Sequence, residues 1–185
     1  GLYRNVHLIV TGKVRVPVWG TYITTPHVEK DYATVNLKVQ IEGAKTGDKI
    51  DVITEIIDPN GKMVSTKKTV HNVVEGVGET HNLLVEAPML WSPETPHLYK
   101  AVTRLVQNDV ELDCYVTRFG IRKIEYVAYK GFFLNDKYTK FRGVCNHHDL
   151  GPLGAAVNKA ALKHQLDLLK DMGCNAIRTS HNMPA

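Results

Sequence analysis

From Thr34 to Glu42 the chain reads T-V-N-L-K-V-Q-I-E, and strict alternation sets Val35, Leu37, Val39 and Ile41 on one face of a half-buried strand. A second strand is expected over about 49–57. It runs into Asp58-Pro59-Asn60-Gly61, where proline presets one turn dihedral and Asn-Gly tolerates positive φ, so a third strand over about 63–70 should return antiparallel. Further strands are expected over 81–86, 99–107 and 111–124, the last two joined by a turn at Asn108-Asp109. With an opening strand over 20–25 this makes about seven short strands and no helix, the spacing of an immunoglobulin-like β-sandwich.

After Tyr126 the pattern changes. Gly131-Phe132-Phe133-Leu134 and Thr139-Lys140-Phe141-Arg142 flank the polar Asn135-Asp136-Lys137 and predict a hairpin. A short apolar stretch from Phe141 to Cys145 then enters a loop rich in Gly and His. Next comes the one strong helical pattern, with Asn158 as N-cap, Leu162, Leu166, Leu169 and Met172 as a core-facing stripe, and Gly173 as the stop. Residues 174–179 read as another strand. Strand, loop, helix and strand make a βαβ unit, which opens a parallel α/β domain. Two parallel strands and one helix cannot cover both faces of their sheet, and a (β/α)₈ barrel needs about 250 residues, so the tail is expected to belong to a larger unit. The expected fold class is therefore mainly β: a sandwich followed by an incomplete β/α segment.

Composition fits this picture. With 43% hydrophobic and 23% charged residues the 185-residue chain can build a core. A net charge of +4 spread without any Lys/Arg block argues against nucleic acid or an anionic membrane as partner. No apolar run approaches the roughly 20 residues of a membrane span, and Gly1-Leu2-Tyr3-Arg4 lacks the layout of a signal peptide. Cys114, Cys145 and Cys174 cannot all pair and form no CxxC, so they read as buried or semi-buried thiols acting as small hydrophobes.

The segments Arg142-Gly143-Val144-Cys145-Asn146-His147-His148-Asp149 and Asn175-Ala176-Ile177-Arg178-Thr179-Ser180-His181-Asn182-Met183-Pro184 resemble the first two barrel strands of glycoside hydrolase family 2, with a β-galactosidase-like cast. Leu90-Trp91-Ser92-Pro93-Glu94-Thr95-Pro96-His97-Leu98-Tyr99 and Arg118-Phe119-Gly120-Ile121-Arg122 are similar to markers of that family's immunoglobulin-like middle domain. Gly1-Leu2-Tyr3-Arg4-Asn5-Val6 resembles the last strand of its N-terminal jelly-roll domain. The implied domains are a jelly-roll remnant over 1–18, the sandwich over 19–125, and the first unit of a TIM barrel over 126–185.

That resemblance implies retaining hydrolysis of β-glycosides by two glutamates on later barrel strands, held about 5 Å apart, which lie beyond Ala185. The chain alone is then expected to be inactive and to need no cofactor. Barrel sites gather at the C-terminal ends of strands, which assigns substrate binding to His147, Asp149, Arg178, His181 and Asn182. By resemblance, Arg178 would lie under the nucleophile and orient its carboxylate, while His147 and His181 would donate hydrogen bonds to sugar hydroxyls. A metal held by His147, His148, Asp149 and His181 is disfavoured, because neighbouring strand residues point to opposite sides. Trp91 and Trp19 could stack on sugars, yet Trp91 in a Pro-rich connection reads as a packing anchor.

Cys145-Asn146 stands where many members have Asn-Arg, and Asn182 stands where tyrosine is frequent, so β-glucuronides, β-mannosides and other β-glycosides remain open beside galactosides. A stand-alone β-sandwich module binding carbohydrate or protein is the alternative. The expected location is a bacterial periplasm or secretion rather than the cytoplasm. Homo-oligomers through the unpaired edge of the βαβ tail are expected as well.

Overall fold

The computed structural model describes residues 5–181 of the chain. By contact they divide into two units, residues 10–138 and residues 5–9 with 139–181.

Within the first unit, seven strands form two antiparallel sheets among the described residues. One has the order β1 (Thr21–Val28), β2 (Tyr32–Val39), β5 (Glu79–Glu86). The other has the order β4 (Met63–Asn72), β3 (Lys49–Ile57), β6 (Tyr99–Gln107), β7 (Val110–Phe119). Pairing β2 with β5 and β3 with β6 interleaves the two sheets in the manner of an immunoglobulin-like sandwich. Alternation does the work of assembly. Val35, Leu37 and Val39 on β2 face Ile50, Val52 and Ile56 on β3, and all are essentially inaccessible to solvent. Burying each such side chain contributes about 1.5–3 kcal/mol. Ile41, expected on the same face, lies past the end of β2 and is half-buried.

The turn at 58–61 forms as its residues require: Asp58 Oδ1 accepts from Asn60 N at 2.9 Å and Lys62 N at 2.8 Å, and Gly61 takes φ 87°. Asn108 and Asp109 turn β6 into β7 with φ of 50° and 62°. The strand expected over 111–124 is broken. β7 ends at Phe119, Ile121 turns inward to full burial, and its carbonyl accepts from Trp91 N at 2.8 Å. A new strand, β8 (Ile124–Val127), then pairs with β9 (Gly131–Leu134), which pairs with β10 (Lys137–Tyr138). The hairpin turn is two residues, Asn135-Asp136, because both adopt positive φ, so the return strand starts earlier than its apolar residues suggested. The three-stranded meander thus groups with the sandwich by contact.

Trp91 behaves as a packing anchor. A Cβ at Gly120 would lie 2.8 Å from the Trp91 Cβ, the Arg122 guanidinium stands 5.0 Å from the ring centroid, and Asn135 Nδ2 donates to the Trp91 carbonyl at 3.0 Å. Trp19 is 87% exposed.

In the second unit, β11 (Gly143–Cys145) pairs in parallel with β12 (Ala176–Arg178), and α1 (Lys159–Asp171) connects them. The βαβ reading therefore holds. Asn158 caps α1 by accepting from Ala160 N at 2.9 Å and Ala161 N at 3.2 Å, and Gly173 takes φ 84° just past its end. The stripe read as core is not buried: no described residue of α1 is, and Leu166 and Met172 are 39% and 75% exposed. A two-stranded sheet is too narrow to cover that face. Of the segment 1–6 read as a jelly-roll strand, residues 1–4 lie outside the described residues, and Asn5 and Val6 carry no strand.

Candidate functional site

The polar residues singled out by sequence hang from the β11–β12 pair. Its close approach depends on Gly143, where a Cβ would stand 2.3 Å from the Ala176 carbonyl oxygen. Asn175 closes the entry side. Its backbone N–H donates to the Arg142 carbonyl at 2.9 Å, its Oδ1 accepts from Arg142 N at 2.8 Å, and its Nδ2 donates to the Lys140 carbonyl at 3.1 Å. The register then sets Cys145 opposite Arg178.

At the exit side, Asn146 N–H donates to the Arg178 carbonyl at 2.8 Å, which extends the pairing one step toward His147. The Asn146 side chain donates to Gln165 Oε1 on α1 at 3.2 Å, so the same residue ties strand end to helix. Ser180 adopts φ 46° and bends the chain after β12. The His181 ring comes to lie edge-on to the His147 ring, with centroids 6.0 Å apart and planes at 74°. Both imidazoles are exposed and offer hydrogen-bonding nitrogens to a ligand.

The exposed Arg178 guanidinium donates through Nη1 to the Cys145 Sγ at 3.7 Å, a weak contact that leaves most of its donors available. Asp149 is turned to its own loop, where Oδ1 accepts from Gly151 N at 3.1 Å and leads into a 3₁₀ turn over Gly151–Leu153. Asn182 lies outside the described residues. The strand ends therefore bring His147 to His181 and Arg178 to Cys145. Among the described residues no group of three or more His, Cys, Asp or Glu side chains converges as a metal site would.

Three participants were not assigned structural roles by sequence reasoning: Asn175, Asn146 and Cys145. An Asn immediately before a short apolar strand is a signal for a backbone clamp, since its amide can satisfy a carbonyl and an N–H together. The Arg178–Cys145 neighbourhood needs the register, which a three-residue strand does not reveal.

A sandwich of this topology, followed in the chain by a parallel strand–helix–strand with polar side chains at the strand exits, defines the class of sandwich-plus-β/α-barrel polypeptides. Residues 16–122 match the family described as Glycosyl hydrolases family 2, and residues 126–184 match the TIM barrel domain of Glycosyl hydrolases family 2. The chain belongs to glycosyl hydrolases family 2. It is similar to Beta-galactosidase BoGH2A of Bacteroides ovatus, with 44% identity over all of this chain and 22% of that protein. It is also similar to a putative beta-glucuronidase of Formosa agariphila, with 37% identity over 98% of this chain and 17% of that protein. Among solved structures, a glycosyl hydrolase family 2 member from Bacteroides cellulosilyticus superposes with a TM-score of 0.95 at 38% identity, covering the whole chain and 26% of that structure. The chain thus spans about a quarter or less of the length of these relatives.

Proposed function

We propose that this chain is part of a retaining β-glycosidase that removes terminal β-linked sugars, and that it supplies a portion of the sugar-holding rim without the two catalytic carboxylates. The observation that carries this reading is the meeting of His147 and His181 just past the ends of β11 and β12, the latter ending at Arg178, on a chain of this family. Retaining hydrolysis needs two carboxyl groups about 5 Å apart, one as nucleophile and one as acid and base. In this proposal they come from glutamates on barrel strands that follow residue 185. The Arg178 fork is suited to holding such a carboxylate ionised, and the two imidazoles to donating toward sugar hydroxyls as positive charge develops at the anomeric carbon. Asp149 and Asn182 belong to the same rim, and the open edges of the β11–β12 pair favour self-association.

The relatives include both a beta-galactosidase and a putative beta-glucuronidase, so the reading extends to β-glycosides and favours galactosides through the higher identity. The test is a panel of aryl β-galactoside, β-glucuronide and β-mannoside substrates, assayed with the purified 185-residue chain and with the protein encoded by its full reading frame. Hydrolysis with retained anomeric configuration is expected from the latter and none from the former. Turnover by the 185 residues that survives rigorous purification would refute the proposal, as would a full-frame product of inverted configuration.

A further inference from the structure

The interior of the sandwich holds a group of polar side chains unconnected with the sugar-holding rim. His81 on β5 is fully buried. Its Nδ1 lies 2.9 Å from Thr54 Oγ1 on β3 and its Nε2 lies 2.8 Å from Thr69 Oγ1 on β4, both in the opposite sheet. Next to it along the strands, His71 on β4 pairs through Nδ1 with Glu79 Oε2 on β5 at 3.1 Å, and that imidazole is also buried. Two histidines therefore stitch β5 of one sheet to β3 and β4 of the other. Apart from Thr103 on β6, the rest of that buried interior is lined by apolar side chains such as Val52, Leu37 and Val85.

We propose that this His81-centred stitch is an acid-sensitive latch: protonation of His81 releases β5 from the facing sheet and loosens the β4–β5 side of the sandwich before the rest. A neutral imidazole donates from one nitrogen and accepts at the other, and each threonine hydroxyl can supply the complementary role. When the second nitrogen takes a proton, the hydroxyl that had donated to it must turn its hydrogen elsewhere. An unpaired polar group and a buried cation then stand in an apolar interior, and both are costly.

The charged surroundings offset the cost of burying the cation only in part. Glu79, which also serves His71 and the Thr80 N–H at 3.0 Å, attracts it, and Lys67 on β4 repels it to a lesser degree. Among the described residues, the buried positions of β2, β3 and β6 contribute one titratable side chain, Tyr99, whose hydroxyl accepts from Met89 N at 2.9 Å. In keeping with this, burial holds the His81 imidazole below its ordinary value, opposed by the pull of Glu79 and helped by a smaller push from Lys67.

The sign follows. A histidine whose folded pKa is depressed resists a proton that the unfolded chain accepts below about 6.5, so stability is lost as pH falls through that value until His81 itself charges. Over that interval the folding constant drops by up to roughly tenfold per pH unit.

The test measures urea midpoints of the 185-residue chain from pH 7.5 to 5.5 for the wild type, for His81→Gln, and for His27→Gln as an exposed control. The wild type and the His27 variant are expected to lose stability with acid, and the His81 variant to lose markedly less. Equal slopes in all three would overturn the proposal. If His81→Gln does not fold, imidazole ¹⁵N shifts of the wild type decide. A neutral His81 at pH 6.0, with amides of 79–86 losing protection more steeply with acid than those of the β3–β6 pair, supports the latch. Half-protonation at or above 6.5 refutes it.

Discussion

Replacing Gly143 by alanine tests how the strand pair holds the candidate rim. The added Cβ would stand 2.3 Å from the Ala176 carbonyl oxygen and 2.8 Å from its carbon, both backbone atoms that cannot swing aside as a side chain would. Ordinary contact begins at 3.4 Å, so β11 and β12 must separate by about 1 Å. The flanking bonds from Asn175 N to the Arg142 carbonyl and from Asn146 N to the Arg178 carbonyl are 2.9 and 2.8 Å long. Stretched to about 4 Å they fall outside hydrogen-bond range. Each contributes about 0.5–1.5 kcal/mol net, and the Arg142 N–H bond to Asn175 Oδ1 goes with them, so the pair weakens by about 2–4 kcal/mol. Amide exchange is the assay. Asn146, Asn175 and the residues of β12 should exchange faster by about two orders of magnitude, while β3 and β6 keep their protection. Unchanged protection at Asn146 and Asn175 would refute the claim that glycine is required for this approach.

Two smaller perturbations check other parts of the structure. Leu37→Ala removes a fully buried side chain opposite His81 on the neighbouring strand and should lower unfolding stability by about 3 kcal/mol, measured by urea titration; a loss under about 1 kcal/mol would mean the site collapses around the void. Asn158→Ala removes the acceptor of two N–H groups and should destabilise α1 by about 1 kcal/mol, read as faster exchange at Ala160 and Ala161, with restoration by Asn158→Asp.

How far the sequence speaks depends on how local each determinant is. The strands over 49–57 and 99–107 form with the expected bounds, because alternation, a Pro-Asn-Gly turn and an Asn-Asp turn each act within a few residues. The break after Phe119 was not legible, since it is imposed by Trp91 and Ile121, which meet only after the sandwich has formed. His81 and His71 likewise carry no local signal of their role. In T-H-N-L-L-V-E a histidine at an inward position looks like a flaw in the alternation until β3 and β4 supply the threonines.

The helix makes the complementary point. Its stripe of Leu162, Leu166, Leu169 and Met172 is a correct reading of periodicity, and its cap and stop form where expected. Periodicity states which face needs cover, whereas burial depends on how much sheet lies opposite, and here that is two three-residue strands. The rim obeys the same division. His147 and Arg178 were legible as residues of a strand exit, but the Asn146 bonds to the Arg178 carbonyl and to Gln165 that steady that exit arise from register and helix docking. A side chain's chemistry is written where it stands in the chain, and its usefulness is set by partners some 19 to 33 residues away.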